Sequence, residues 1–253
     1  MLPKAVLFDY GMTLCTEPPI NRDRGAELLL RHAAANPHHV TPKVLLDQLD
    51  RVHGGLGYFV GEESRRDPDV LYQQAMEENF CAVLRYTLER LDLVLDVPLQ
   101  RAEVLYWDAC SPGSPAPGVQ AVLSRLDSLK IPYGVVSNMC FAGDTLERRL
   151  FSCLPQANFQ FILASSEYAF RKPHRMLFEM ALHKLGLSAG QDVWFCGDHP
   201  VCDVEGAAGV GLRPFWVRLY NDFDRLTPPR VPCTRIAAWP EFLKILEEQA
   251  PEI

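Results

Sequence analysis

No apolar run in the sequence approaches the roughly 20 residues that a membrane-spanning helix needs, so no membrane partner is expected. A basic excess is missing too. The 25 lysines and arginines stand against 32 acidic side chains, a formal net charge of −7, and no global field draws nucleic acid to the surface. The 8 cysteines are irregularly spaced and include no C-x-x-C pair, and a chain of 253 residues does not need disulfide staples. They read as reduced thiols. Internal repeats and low-complexity segments are also lacking. With 48% hydrophobic and 23% charged residues, the chain has the material for a sizeable core, or for one large domain carrying a smaller insert. Met1-Leu2-Pro3-Lys4-Ala5 enters a strand-like run rather than a signal peptide, and the expected setting is cytoplasmic.

What is present begins with Ala5-Val6-Leu7-Phe8, a continuous apolar run ending at Asp9. Such a run suits a central strand of a parallel sheet, buried on both faces. Comparable runs follow at Tyr133-Gly134-Val135-Val136, Phe161-Ile162-Leu163-Ala164, Val193-Trp194-Phe195-Cys196 and Phe215-Trp216-Val217, separated by segments of helical spacing. The alternation predicts a doubly wound, Rossmann-like α/β parallel sheet. A last strand is expected at 235–237, with a helix from Pro240 to about Glu248 completing the sheet edge.

The stretch from Cys15 to about Cys110 breaks the alternation. Helical patterns at about 21–35, 42–53, 69–92 and 98–109, with no convincing strand, predict an inserted all-helical cap domain over 15–116. The core domain then comprises 1–14 and 117–253. Ser111-Pro112-Gly113-Ser114-Pro115-Ala116-Pro117-Gly118 reads as the return linker, with Pro117 opening the next helix. In the third pattern, Tyr72, Met76, Phe80, Val83 and Leu84 form one apolar stripe. Tyr58, Phe59, Tyr86, Tyr106 and Trp107 read as core of the insert, with Tyr58 and Phe59 on a Gly-rich loop able to swing over the site.

In open α/β sheets, ligands sit beyond the carboxyl ends of the strands. Those ends deliver Asp9 with Tyr10-Gly11-Met12-Thr13-Leu14, then Ser137-Asn138, then Gly197-Asp198-His199 with Asp203 beyond; Arg171-Lys172-Pro173 precedes the fourth strand. Carboxylates converging at one sheet edge repel one another unless a cation resolves the conflict, and a hard divalent ion with oxygen ligands does so. This ordered set resembles the four motifs of the haloacid dehalogenase superfamily, in its dehalogenase/phosphatase branch with a helical cap. The resemblance implies that Asp9 is a nucleophile forming an aspartyl-phosphate. Asp9, the Gly11 carbonyl, Asp198 and Asp203 would hold Mg2+, while Ser137, Asn138 and Lys172 would bind the phosphoryl group. Lys172 would also offset charge during transfer. Thr13 would support the turn after the first strand.

One position departs from the pattern. Family phosphatases carry a second Asp two residues after the nucleophile as general acid and base, and this chain has Gly11 there. Losing such help costs ~10²–10⁴-fold. The expected activity is hydrolysis of a small phosphorylated metabolite, slow or narrow in range, with His199 the nearest replacement acid. The other readings are 2-haloacid dehalogenation, phosphonate cleavage using Lys43 of the insert, and a non-catalytic descendant that binds a phosphorylated ligand. The insert holds 16 acidic and 10 basic side chains, so it would repel a polyanion. Oligomeric state is not set by the sequence.

Overall fold

The computed structural model describes residues 1–55, 76–220 and 228–249. Elements in its first half are β1 (Ala5–Phe8), β2 (Cys15–Thr16), α1 (Arg22–Arg31), β3 (Ala33–Ala35), α2 (Pro42–Gly55), α3 (Phe80–Arg90), β4 (Val94–Leu95), α4 (Leu99–Cys110) and β5 (Ser114–Pro115). There follow α5 (Val119–Ser128), β6 (Tyr133–Ser137), α6 (Gly143–Cys153), β7 (Ile162–Ala164), α7 (Arg175–Leu185), β8 (Val193–Gly197), α8 (Gly206–Gly209), β9 (Arg213–Val217), β10 (Thr234–Ile236) and α9 (Trp239–Gln249).

Six strands form one parallel sheet in the order β10-β9-β8-β1-β6-β7. The apolar run of β1 is buried throughout because both faces of the sheet are covered. Val6 and Phe8 join the cluster formed with α5, α6 and α9, whereas Ala5 and Leu7 join the one under α7. β1 lies between β6 and β8, pairing Phe8 with both Val135 and Cys196. Chain order reverses about β1, so the crevice beyond its carboxyl end is the topological switch point of the sheet.

The helices α1 to α4 surround an apolar cluster of their own, with Leu29, Leu45, Leu49, Phe80, Val83, Leu84 and Tyr106 inside. Several expectations shift here. The third helix starts at Phe80, capped by Asn79, whose side chain accepts from the Ala82 amide. Met76 is exposed and pairs as an isolated bridge with Phe170, and Tyr72, like Tyr58 and Phe59, lies outside the described residues. Tyr86 is exposed, whereas Tyr106 and Trp107 are buried as expected. The block also contains a short β3–β4 ladder that no sequence pattern announced, since Ala-Ala-Ala and Val-Leu are too short for periodicity. Pro117 precedes its helix by two residues, because Gly118 takes the left-handed conformation (φ 86°) at the cap.

The two crossings between sheet and helical block pair with each other: Cys15 lies opposite Pro115 and Thr16 opposite Ser114 in the antiparallel β2–β5 ladder. Arg149 of α6 joins them. Its guanidinium donates to Glu17 at 3.0 Å, to the Ser111 carbonyl at 2.8 Å and to Asp108 at 2.8 Å, and stacks 4.0 Å above Trp107. Phe141 extends this seam, stacked on Trp107 at 4.7 Å and edge-on to Phe80 at 5.0 Å. The Arg149 side chain is only 4% exposed, and removing its charge leaves Glu17 without its cation, though still bonded to the Tyr10 hydroxyl at 2.7 Å. Arg149→Leu is expected to lower unfolding free energy toward the bottom of the ~3–5 kcal/mol range for breaking a buried pair, since Asp108 stays hydrated. Urea denaturation of the two proteins checks this.

Candidate active site

Each strand end brings one group to the crevice. Asp9 follows β1, and its amide donates to the Cys196 carbonyl at 2.9 Å, which extends the ladder by one residue and turns the carboxylate into the opening. Ser137 closes β6 and is buried. Asp198 follows β8, its carbonyl held by the Trp216 indole at 2.9 Å. Asp203 comes from the π-type turn Pro200–Glu205. A Cβ on Gly197 would collide with the Asp203 carboxyl group, so only glycine lets this side chain fold back over β8.

Lys172 binds the set together. Its ammonium, buried and 5.3 Å from the Phe195 ring, donates to Asp9 Oδ1 at 2.6 Å and Asp203 Oδ1 at 2.6 Å. One oxygen each of Asp9, Asp198 and Asp203 lie within 4.8 Å of one another. Burial works against the ammonium, but Asp203 and Asp9 outweigh it and move its pKa up. Burial is also the main force lifting Asp9 to about 6; Lys172 opposes the lift and Asp203 adds to it. Asp198 is pushed well above the carboxylate range, first by burial and then by Asp203 and Asp9. One cation faces three carboxylates, leaving an excess of negative charge among hard oxygen donors. That chemistry fits a divalent ion such as Mg2+.

Two residues have other partners than the sequence implied. Both ends of the Asn138 side-chain amide are engaged by the main chain of Lys172: Nδ2 donates to its carbonyl at 2.8 Å and Oδ1 accepts from its amide at 2.7 Å. Asn138 therefore positions the lysine, and its side chain is not turned to a phosphoryl group. His199 Nδ1 accepts from the amides of Val201 and Cys202 at 3.2 and 3.1 Å. Burial, with Lys172 and Arg171 nearby, lowers its pKa against the pull of Asp203. The imidazole is a neutral cap on the turn, which removes it as the replacement acid. The Thr13 hydroxyl, expected to support the turn after β1, is buried without a hydrogen-bond partner, and the turn is held instead by Leu14 and Cys15 amides on the Tyr10 carbonyl.

Sequence reasoning missed Glu77. Its carboxylate accepts from Ser165 Oγ at 2.7 Å and lies 3.7 Å from Arg171, while Ser165 Oγ accepts from the Met139 amide at 2.8 Å. The helical block thus touches the loops presenting both Asn138 and Lys172. No motif marks such a contact, because its partners are some ninety residues apart.

Gly11 has an open environment: a Cβ there meets nothing within 4 Å. Lys43 points to solvent, paired with Asp47 at 2.7 Å on α2, which removes the support for a desolvated, Schiff-base-forming amine. The raised pKa of Asp9 has a signed consequence. Between its ordinary 3.8 and about 6 the folded state holds the proton more tightly than the unfolded chain, so this group's contribution to stability falls as pH rises through that window. In metal-free buffer, the stability of wild type relative to Asp9→Asn is expected to decline from pH 4 to pH 6; denaturation midpoints measured across that window check the sign.

Residues 110–217 match the family model described as haloacid dehalogenase-like hydrolase, a stretch that includes Ser137, Lys172, Asp198 and Asp203 but not Asp9. The chain is 25% identical over 162 residues to a glyceraldehyde 3-phosphate phosphatase of Pyrococcus abyssi, covering 60% of this chain and 66% of that protein, just under two thirds of its length. Its fold resembles a 2-haloacid dehalogenase from Pseudomonas syringae, with TM-score 0.61, 21% identity and coverage of 99% and 100%. It also resembles a HAD phosphatase from Thermococcus onnurineus, with TM-score 0.55, 19% identity and coverage of 97% and 98%. The family match thus covers residues 110–217, and the likeness to these solved structures shows a shared fold over nearly the whole chain.

Proposed function

We propose that the chain hydrolyses a small phosphate monoester through an aspartyl-phosphate on Asp9, with Mg2+ as cofactor. The observation that carries this reading is the meeting of Asp9, Asp198 and Asp203 around Lys172. The 2-haloacid dehalogenases that resemble this family's pattern need no metal, and nothing in attack on carbon calls for Asp198 and Asp203. A phosphoryl-transfer site needs such an acidic cluster to hold a cation.

In this reading Lys172 orients the Asp9 carboxylate, which attacks phosphorus and displaces the alcohol; water then hydrolyses the acyl phosphate and restores Asp9. Ser137 and Lys172 contact the phosphoryl oxygens. Bound at Asp9, Asp198 and the Gly11 carbonyl, Mg2+ would supply charge neutralisation on those oxygens. Both oxygens of Asp203 are already engaged, Oδ1 by Lys172 and Oδ2 by the His199 amide at 2.9 Å, so its part is to anchor the lysine and add negative charge beside the ion that Asp9 and Asp198 would hold. The helical block acts as a cap that excludes bulk water, and its net negative charge disfavours polyanionic substrates. The setting is cytoplasmic.

Gly11 leaves the departing alkoxide without a proton donor, which restricts turnover to good leaving groups. Because the position is sterically open, Gly11→Asp is expected to raise kcat/KM toward alkyl phosphates by ~10-fold or more, part of the ~10²–10⁴ that acid–base help supplies, and toward aryl phosphates by less. A Mg2+-dependent screen of phosphate esters tests the reading as a whole, with Asp9→Asn as the blank. Loss of activity in that variant is the expected result, and activity persisting in it would overturn the nucleophile. Release of halide from 2-haloacids without metal would favour attack on carbon instead.

A further inference from the structure

Residues 76–80 of the helical block are docked on two loops at the carboxyl end of the sheet, the one after β6 and the one after β7. The Phe80 amide donates to the Cys140 carbonyl at 2.9 Å and the Glu77 amide to the Ala169 carbonyl at 2.8 Å, while Met76 bridges to Phe170. Ala169 lies three residues before Lys172 and takes a left-handed conformation (φ 62°) uncommon for a residue with a Cβ. At the centre of this contact is one carboxylate, on the fully buried side chain of Glu77. Its Oε2 accepts from Ser165 Oγ at 2.7 Å and stands 3.7 Å from Nε of Arg171, the residue before Lys172.

The buried Ser165 hydroxyl has two acceptors within reach, Glu77 at 2.7 Å and the Met139 carbonyl at 3.4 Å. The shorter bond, to a charged acceptor, takes the proton, and the serine oxygen is left to accept from the Met139 amide at 2.8 Å. Met139 follows Asn138, whose side-chain amide holds the Lys172 main chain at both ends. Contacts therefore run unbroken from Glu77 through Ser165, Met139 and Asn138 to Lys172, which ends on Asp9 and Asp203. We propose that Glu77 is a positioning residue for Lys172: by fixing Ser165 it holds the loops that aim the ammonium at Asp9, so the helical block takes part in setting the geometry of the site. The Arg171 guanidinium beside Glu77 offsets the charge that this buried acceptor carries. The consequence for turnover rests on the reading of Asp9 as the nucleophile, whereas the hold on Lys172 does not.

The experiment reads amide hydrogen exchange by NMR in the full-length protein and needs no substrate. Its reporter is the Lys172 amide, bonded to Asn138 Oδ1 at 2.7 Å, and its references are Val6 in β1 and Leu45 in α2, bonded to the Pro132 and Thr41 carbonyls at 3.0 Å each. Glu77→Ala is expected to speed exchange at Lys172 by ~10-fold or more, the factor that losing one hydrogen bond to a charged group implies, with both references unchanged. Glu77→Gln keeps an acceptor for Ser165 and should recover most of that protection. Ser165→Ala should reproduce the effect at Lys172, and it decides the matter if Glu77→Ala fails to fold. On an aryl phosphate the loss in Glu77→Ala should fall on kcat, by ~10-fold or more, with KM little changed. A rise in KM alone would overturn the proposal, because Glu77 would then seat the block over the substrate without aiming Lys172. Unaltered exchange at Lys172, or exchange equally faster at Val6 and Leu45, would overturn it too. A wild-type protein without phosphatase activity would count against the Asp9 reading, and the exchange measurements would still decide the role of Glu77.

Discussion

The rest of the site depends on one buried ammonium. Three carboxylates at the end of a parallel sheet cannot share a dry crevice without a counterion, because burial penalises each charge and each raises the cost of the next. Lys172 supplies that counterion from a loop outside the sheet, bonded to Asp9 and Asp203 at once. Its placement explains features that otherwise look unrelated. Asn138 spends its side chain on the lysine's main chain, Gly197 is bare so that Asp203 can reach back, and His199 stabilises the turn that delivers Asp203. The balance is incomplete in charge: one cation does not neutralise three acids, and burial first, then the neighbouring acids, raise the pKa values of Asp9 and Asp198.

The helical block is joined to the sheet by a different kind of physics. At the crossings a short ladder, a buried guanidinium and an aromatic seam through Trp107, Phe141 and Phe80 hold the two parts. Farther along, Glu77 reaches Ser165 beside the loops that present Asn138 and Lys172. The block therefore touches the site's supports as well as its rim. A displacement of the block would be felt at Lys172 through main-chain contacts such as that from Glu77 to Ala169 at 2.8 Å.

Much of this was legible beforehand because the signals are local. Fully apolar four- and five-residue runs mark buried parallel strands, and the core strands fall within a residue or two of their expected places. The acidic and serine residues at strand ends could be found because sheet topology forces strand termini together. Short elements were not legible: β3 and β4 hold their shape by pairing with each other, not by any pattern within them. The roles of Asn138 and His199 were misread for a related reason. A side chain beside a motif was assigned to the ligand, whereas the folded backbone nearby had unsatisfied amides and a carbonyl that claimed it first.

A family resemblance supplied the roles of Lys172 and Asp203; residue type and order alone pointed to the parallel α/β architecture, a helical stretch between its first and second strands, strand ends carrying Asp9, Ser137 and Asp198, and the lack of an acid at Gly11. These follow from periodicity and from chemistry that each residue carries wherever it sits. Tertiary structure decided which acid shares the ammonium with Asp9 and which main chain the Asn138 side chain holds. Those outcomes turn on distances of a few ångströms between residues far apart in the chain, and burial there sets the strength of every charge and hydrogen bond.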